Sequence, residues 1–116
     1  MKTSYHMEDA VCIANVEGSF MNVQAQQFKS KLQALLEDPA SEALLINLEK
    51  TVRIDSIALG VITIISKKAK QEQLGFAVCQ PNELVASIFR VTKLHQVFSV
   101  FKTKEEALTH LKNKET

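Results

Sequence analysis

Tryptophan is absent from this chain, and aromatic residues make up only 6% of it, which argues against a surface that stacks nucleic-acid bases. Charge of one sign is lacking too. The 14 Lys and Arg nearly balance the 13 Asp and Glu, leaving a formal net charge of +1. No strong field therefore draws the chain to nucleic acid or to anionic lipid. With only three glycines, backbone cradles for phosphate are hard to build. No window approaches the roughly 18 apolar residues of a membrane span. The N-terminal stretch MKTSYHMEDAV has no apolar core of signal-peptide length. The expectation is a cytoplasmic chain that is not an integral membrane protein. The two cysteines, Cys12 and Cys79, each lie in an apolar run. They could be neighbours in a sheet and form a disulfide, but two buried thiols are the preferred reading.

What the sequence does contain is apolar residues in two alternating periods. At 116 residues and 46% apolar it suits one domain over 1–116, with a core from about 10 to 111. Ala10 to Val16 (AVCIANV) reads as a strand that stops at a Glu17-Gly18 turn. From Val23 to Leu36 apolar residues fall at helical spacing, with Asn22 as the expected N-cap. Ala43 to Leu48 is continuously apolar, like a strand covered on both faces. Ile57 to Ala69 is helical by length, and its terminal lysines suit the helix dipole. Phe76 to Cys79 reads as a strand, Asn82 to Val91 as a helix, and Val97 to Phe101 as an edge strand. Thr103 and Glu106 form a capping box for a last helix. A further strand near Ser4 to Glu8 would precede all of these, and the ends, Met1 to Ser4 and Lys112 to Thr116, look loose. The order implies an α/β fold: a four- or five-stranded, mostly parallel mixed sheet with about four helices.

Catalytic signals are missing. No nucleophile elbow, Walker loop or dinucleotide fingerprint occurs. His6, His95 and His110 have no second ligand at metal-site spacing. No catalytic residue, metal or cofactor is expected. The basic clusters Lys67-Lys68-Lys70 and Lys102-Lys104 read as solvated faces. What stands out is Asp55-Ser56 at the mouth of the run VRIDSIALGVITIIS. The simplest reading is a helix N-cap. Yet Ile57, Leu59, Val61, Ile62, Ile64 and Ile65 are too many for one helix face, so some must meet another surface. Gly60 costs about 1 kcal/mol inside a helix relative to Ala, which suggests close approach of another backbone or a special shape.

The stretch from Ala43 to Phe98 resembles the STAS domain, as found in bacterial anti-sigma factor antagonists. The matching pieces are Leu45-Ile46-Asn47-Leu48, Ile54-Asp55-Ser56, Leu59-Gly60-Val61, Thr92-Lys93-Leu94 and Thr103 to Leu108. The resemblance runs from about Ala10 to Leu111. It implies a small STAS-like fold and a regulatory role in partner switching. In such antagonists the serine after the aspartate is phosphorylated by a GHKL-type kinase that is itself the anti-sigma factor. Binding is then lost, and a phosphatase resets the switch. The matching residue is Ser56. The partner-binding residues so implied are Asp55, Ser56, Ile57, Ala58 and Leu59, with Asn22 standing near the family's early acidic position. The chain departs from the pattern at Ile57, where a second hydroxyl is usual, and at Ala58, where glycine is usual. Ile57 favours a constitutive or self-associating contact, hence the expectation of a weak homodimer. A second implied role is a STAS subunit without a phospho-switch, an accessory to a transporter such as a lipid-transport ATPase or to a signalling scaffold. A small nucleotide-binding enzyme is supported by the alternating order alone, and fold does not give function.

Overall fold

The computed structural model describes residues 1–113. Six strands and four α-helices follow in the order β1 (Lys2–Glu8), β2 (Val11–Phe20), α1 (Asn22–Leu36), β3 (Ala43–Asn47), β4 (Thr51–Ile54), α2 (Ser56–Gln71), β5 (Gly75–Cys79), α3 (Glu83–Val91), β6 (Ser99–Phe101) and α4 (Lys104–Lys112). A short 3-10 turn, Leu94–Gln96, links α3 to β6. The sheet order is β1-β2-β3-β5-β6, and β4 pairs with β2 off this path. Among the described residues only β1 is antiparallel to its neighbour.

The helices sit on the two faces of this sheet as the alternation of side chains dictates. Leu44 and Ile46 of β3 join the cluster that holds Phe28 and Leu32 of α1, Ile62 and Ile65 of α2, and Phe89 of α3. Ala43 and Leu45 face the other way, onto Ala107 and Leu111 of α4. All five residues of β3 are buried, as its unbroken apolar run implies. The cysteines fall on opposite faces: Cys12 packs in the first cluster and Cys79 in the second. They lie on β2 and β5, separated by β3, so they are not neighbours, and both are free, buried thiols.

Four sequence expectations change. The sheet has six strands rather than four or five, because Thr51–Ile54, to which the sequence assigned no element, is a strand. Its four residues are too few to show a period, and it exists by pairing with β2 at a distance in sequence. Glu17-Gly18 is not a turn. β2 continues through it to Phe20, with a register irregularity at Gly18/Ser19 where Gly18 takes φ 94°. A bulge at glycine bends a strand without ending it. Asn22 is not the N-cap of α1. Met21 occupies that position without a side-chain bond, and Asn22 itself is left-handed at φ 58°. The N-terminal residues are not loose, since Lys2 to Ser4 lie in β1. Residues 114–116 of the expected loose tail lie outside the described residues.

The long β2 positions the site. Its first half pairs with β3 and its second half with β4, ending at the Phe20↔Ile54 partners. The starts of α1 and α2 are thereby brought side by side. Thr51 Oγ1 donates to the carbonyl of Val16 at 2.8 Å, a buried bond that anchors the start of β4. Asn82 holds β4 from the other side. Its Nδ2 donates to the carbonyls of Thr51 and Val52 at 3.2 and 3.0 Å, while its Oδ1 caps α3 by accepting from Val85 N at 2.8 Å.

Candidate functional site

Asp55 follows β4 in extended backbone and is the N-cap of α2. Its two carboxylate oxygens have separate duties. Oδ1 accepts from Ala58 N at 2.9 Å, which satisfies one of the free amides of the helix start. Oδ2 accepts from Asn22 N at 3.0 Å, which ties the start of α1 to the start of α2. The second bond joins residues that no local pattern connects. Asn22 is left-handed at this junction, and asparagine is among the few residues that visit this region at modest cost.

Ser56 is the first residue of α2 and is exposed. Its hydroxyl makes no hydrogen bond among the described residues. The capping reading of the pair is therefore right for Asp55 and does not involve Ser56. Beside it the surface is apolar. Val52 is 53% exposed and Ile57 37%, with Val23 of α1 at 67% and Leu84 of α3 at 57%. These residues stand at the starts of three helices and on β4, elements joined by Asp55 and Asn82. Arg53 of β4 is also exposed. The arrangement is a reachable hydroxyl on a helix N-terminus, with a fixed carboxylate next to it and exposed apolar residues on the elements that Asp55 and Asn82 join.

Not every residue of the expected partner surface reaches it. Asp55, Ser56, Ile57 and Asn22 are brought together at the surface. Ala58 is fully buried, and Leu59 is partly buried against the core. The helix period carries both inward, so their side chains support the surface and Ile57 is the apolar residue that remains outside. Gly60 approaches no other backbone among the described residues. A Cβ built there meets nothing within 4 Å, so the suggested close contact is absent. Val52, Leu84 and Asn82 were not singled out from sequence as site residues. Asn82 was readable as a helix start, but its grip on β4 was not, because β4 itself was not seen.

Residues 3–107 match the family model of the STAS domain. The chain belongs to the STAS family. Among relatives of this STAS protein, a candidate anti-sigma factor antagonist of Thermotoga neapolitana is 32% identical over 71 residues, 61% of this chain. The chain spans 63% of that relative's length, and 54% of a second relative's, from Thermotoga maritima. The crystal structure of a candidate anti-sigma factor antagonist from Thermotoga maritima superposes with a TM-score of 0.89 at 26% identity, covering 96% of this chain and 95% of that one. The unphosphorylated anti-sigma factor antagonist SpoIIAA superposes at 0.73, with 15% identity, over 97% of this chain and 99% of that one. At that identity the likeness is one of fold. The six-stranded mixed sheet with four helices is thus the STAS architecture seen in anti-sigma factor antagonists. No helix among the described residues is long and apolar enough to cross a membrane.

Proposed function

We propose that this STAS protein is an anti-sigma factor antagonist or a closely related partner-switching protein, switched by phosphorylation of Ser56. The observation that carries the reading is the exposed Ser56 hydroxyl at the α2 N-terminus, unbonded among the described residues, beside an Asp55 whose two carboxylate oxygens each already accept from a backbone amide. A phosphate there breaks no internal bond. It adds about −1.5 to −2 charges. The helix N-terminus tolerates the anion, so the fold survives. The partner does not tolerate it, because a surface of Ile57 and Val52 that packed against apolar groups now carries a solvated dianion beside Asp55. Loss of binding then follows from local charge, without refolding.

The partners that fit are a GHKL-type serine kinase acting as anti-sigma factor and a phosphatase that resets Ser56, all in the cytoplasm. The role is binding, not catalysis. Incubation with the cognate kinase and ATP is expected to add one phosphate, absent in Ser56→Ala, and Ser56→Asp is expected to abolish capture of the kinase. Mass spectrometry that finds Ser56 unmodified under every growth condition would count against the switch.

A second reading rests on Ile57, 37% exposed where the family pattern has a hydroxyl. It makes the chain a constitutive STAS subunit of a transporter or scaffold. The same pull-down separates the two: a large partner retained unchanged by Ser56→Asp favours this second reading.

A further inference from the structure

One edge of β1 is paired with β2 along its whole length, from Lys2↔Glu17 to Glu8↔Val11. β1 is terminal in the sheet, so among the described residues its other edge pairs with no strand. A seven-residue edge with open amides and carbonyls is a template for another strand. The residues of β1 also match one another. In an antiparallel pair of two identical strands centred on Tyr5, Lys2 lies opposite Glu8 of the second copy, Ser4 opposite His6, Thr3 opposite Met7, and Tyr5 opposite itself. This register uses all seven residues and places a cation against an anion at both ends. Centred on Ser4, the strands would set Lys2 against His6 and leave Glu8 beyond the pairing. Centred on His6, they would set Glu8 against Ser4 and leave Lys2 beyond it.

The end groups are available for such a contact. Lys2 holds no ion pair among the described residues. Glu8 contacts His6 at 3.1 Å and Lys104 at 2.5 Å, both through Oε2, which leaves Oε1 for a third cation. On the opposite face of β1, Tyr5 is braced against Phe28 with ring centroids 6.2 Å apart, and Lys31 lies 5.0 Å above its ring. It therefore offers a positioned aromatic surface at the symmetry axis.

We propose that two copies of this chain associate by antiparallel pairing of β1 with β1, two-fold symmetric at Tyr5 and registered by the Lys2–Glu8 ion pair at each end. The two sheets become one, with the α1 layers of both copies on the same side. Main-chain bonds supply the affinity and the end charges choose the register. The exposed, polar edge makes the dimer weak and concentration-dependent. It is assembled from β1 and not from the apolar Ile57 rim, and it needs no phosphorylation.

Sedimentation equilibrium from micromolar to millimolar concentration tests this. The parent chain is expected to dimerise. Lys2→Glu and Glu8→Lys each place like charges together twice and are expected to weaken the dimer by roughly tenfold or more. An equimolar mixture of the two variants is expected to recover it, because every charge then faces its opposite. Ile57→Ser is expected to leave it unchanged. Since Glu8→Lys also loses the Lys104 contact, a second measurement keeps both charges: Tyr5→Cys is expected to cross-link to itself on oxidation, while Thr3→Cys, offset from its own copy, is not. A parent chain monomeric at millimolar concentration, a mixture that stays monomeric with both variants folded, or equal cross-linking of the two cysteine variants would overturn the proposal.

Discussion

Asp55 is where the architecture of the site can be tested most sharply. Replacing it with alanine removes two bonds at once, to Ala58 N and to Asn22 N. Loss of an N-cap costs about 1 kcal/mol. The bond to Asn22 is made by a charged acceptor, for which about 1.5–3 kcal/mol is usual. Asn22 is exposed, and water replaces part of that interaction, so about 1 kcal/mol is retained as the contribution. Asp55→Ala is therefore expected to lose about 2 kcal/mol, a fall in Tm of roughly 6–12 °C for a domain of this size. Asp55→Asn divides the two effects. Asparagine caps a helix about as well as aspartate, but its second group is an amide that donates. Facing the Asn22 amide, it sets donor against donor. This variant is expected to keep the cap and lose about 1 kcal/mol. Urea denaturation followed by circular dichroism gives both values, and amide exchange should speed up at Asn22 in both variants but at Ala58 only in Asp55→Ala. If Asp55→Ala stays within about 0.5 kcal/mol of the parent, or if the two variants are equally stable, the reasoning fails.

Other expectations follow from single residues. Asn22 is left-handed, so Asn22→Gly should change stability by only a few tenths of a kcal/mol, whereas Asn22→Val should cost about 1–2 kcal/mol in the same denaturation assay. Gly60 has open space around its Cα, so Gly60→Ala should stabilise the fold by about 0.5–1 kcal/mol; a loss would reveal a contact that the geometry lacks. Burial pushes the Cys79 thiol up to about 12 and raises that of Cys12 as well. Neither should react with a thiol reagent at neutral pH until the chain unfolds, when two equivalents should be taken up. Lys104 and then His6 hold the Glu8 carboxyl below its ordinary value. A depressed folded pKa gives stability that is present above the unfolded value, near 4.5, and is lost as pH falls through the lower folded one. Glu8→Gln should therefore lower stability at neutral pH and flatten the acid limb of the stability curve, and melting curves from pH 7 downward measure both.

Much of this protein was legible in the order of its residues because the signals are local. The apolar periods of α1, α2 and α3, the unbroken run of β3, and Thr103 as the cap of α4 each involve residues a few positions apart. Asp55-Ser56 stood out for the same reason, as a polar pair against an oily run. What the sequence could not decide is everything that depends on contacts across the chain. β4 is four residues whose strand character comes from the second half of β2, which continues through a register irregularity at the positive-φ Gly18. Asn22 looks like a cap, and only the fold shows its backbone amide reaching Asp55, 33 residues away. Ala58, Leu59 and Ile57 are adjacent in sequence, but only packing against the sheet separates the two that turn inward from the one that stays outside. Local chemistry chose the elements and flagged the serine. Burial and long-range hydrogen bonding decided which neighbours that serine has, since both depend on which elements meet in space.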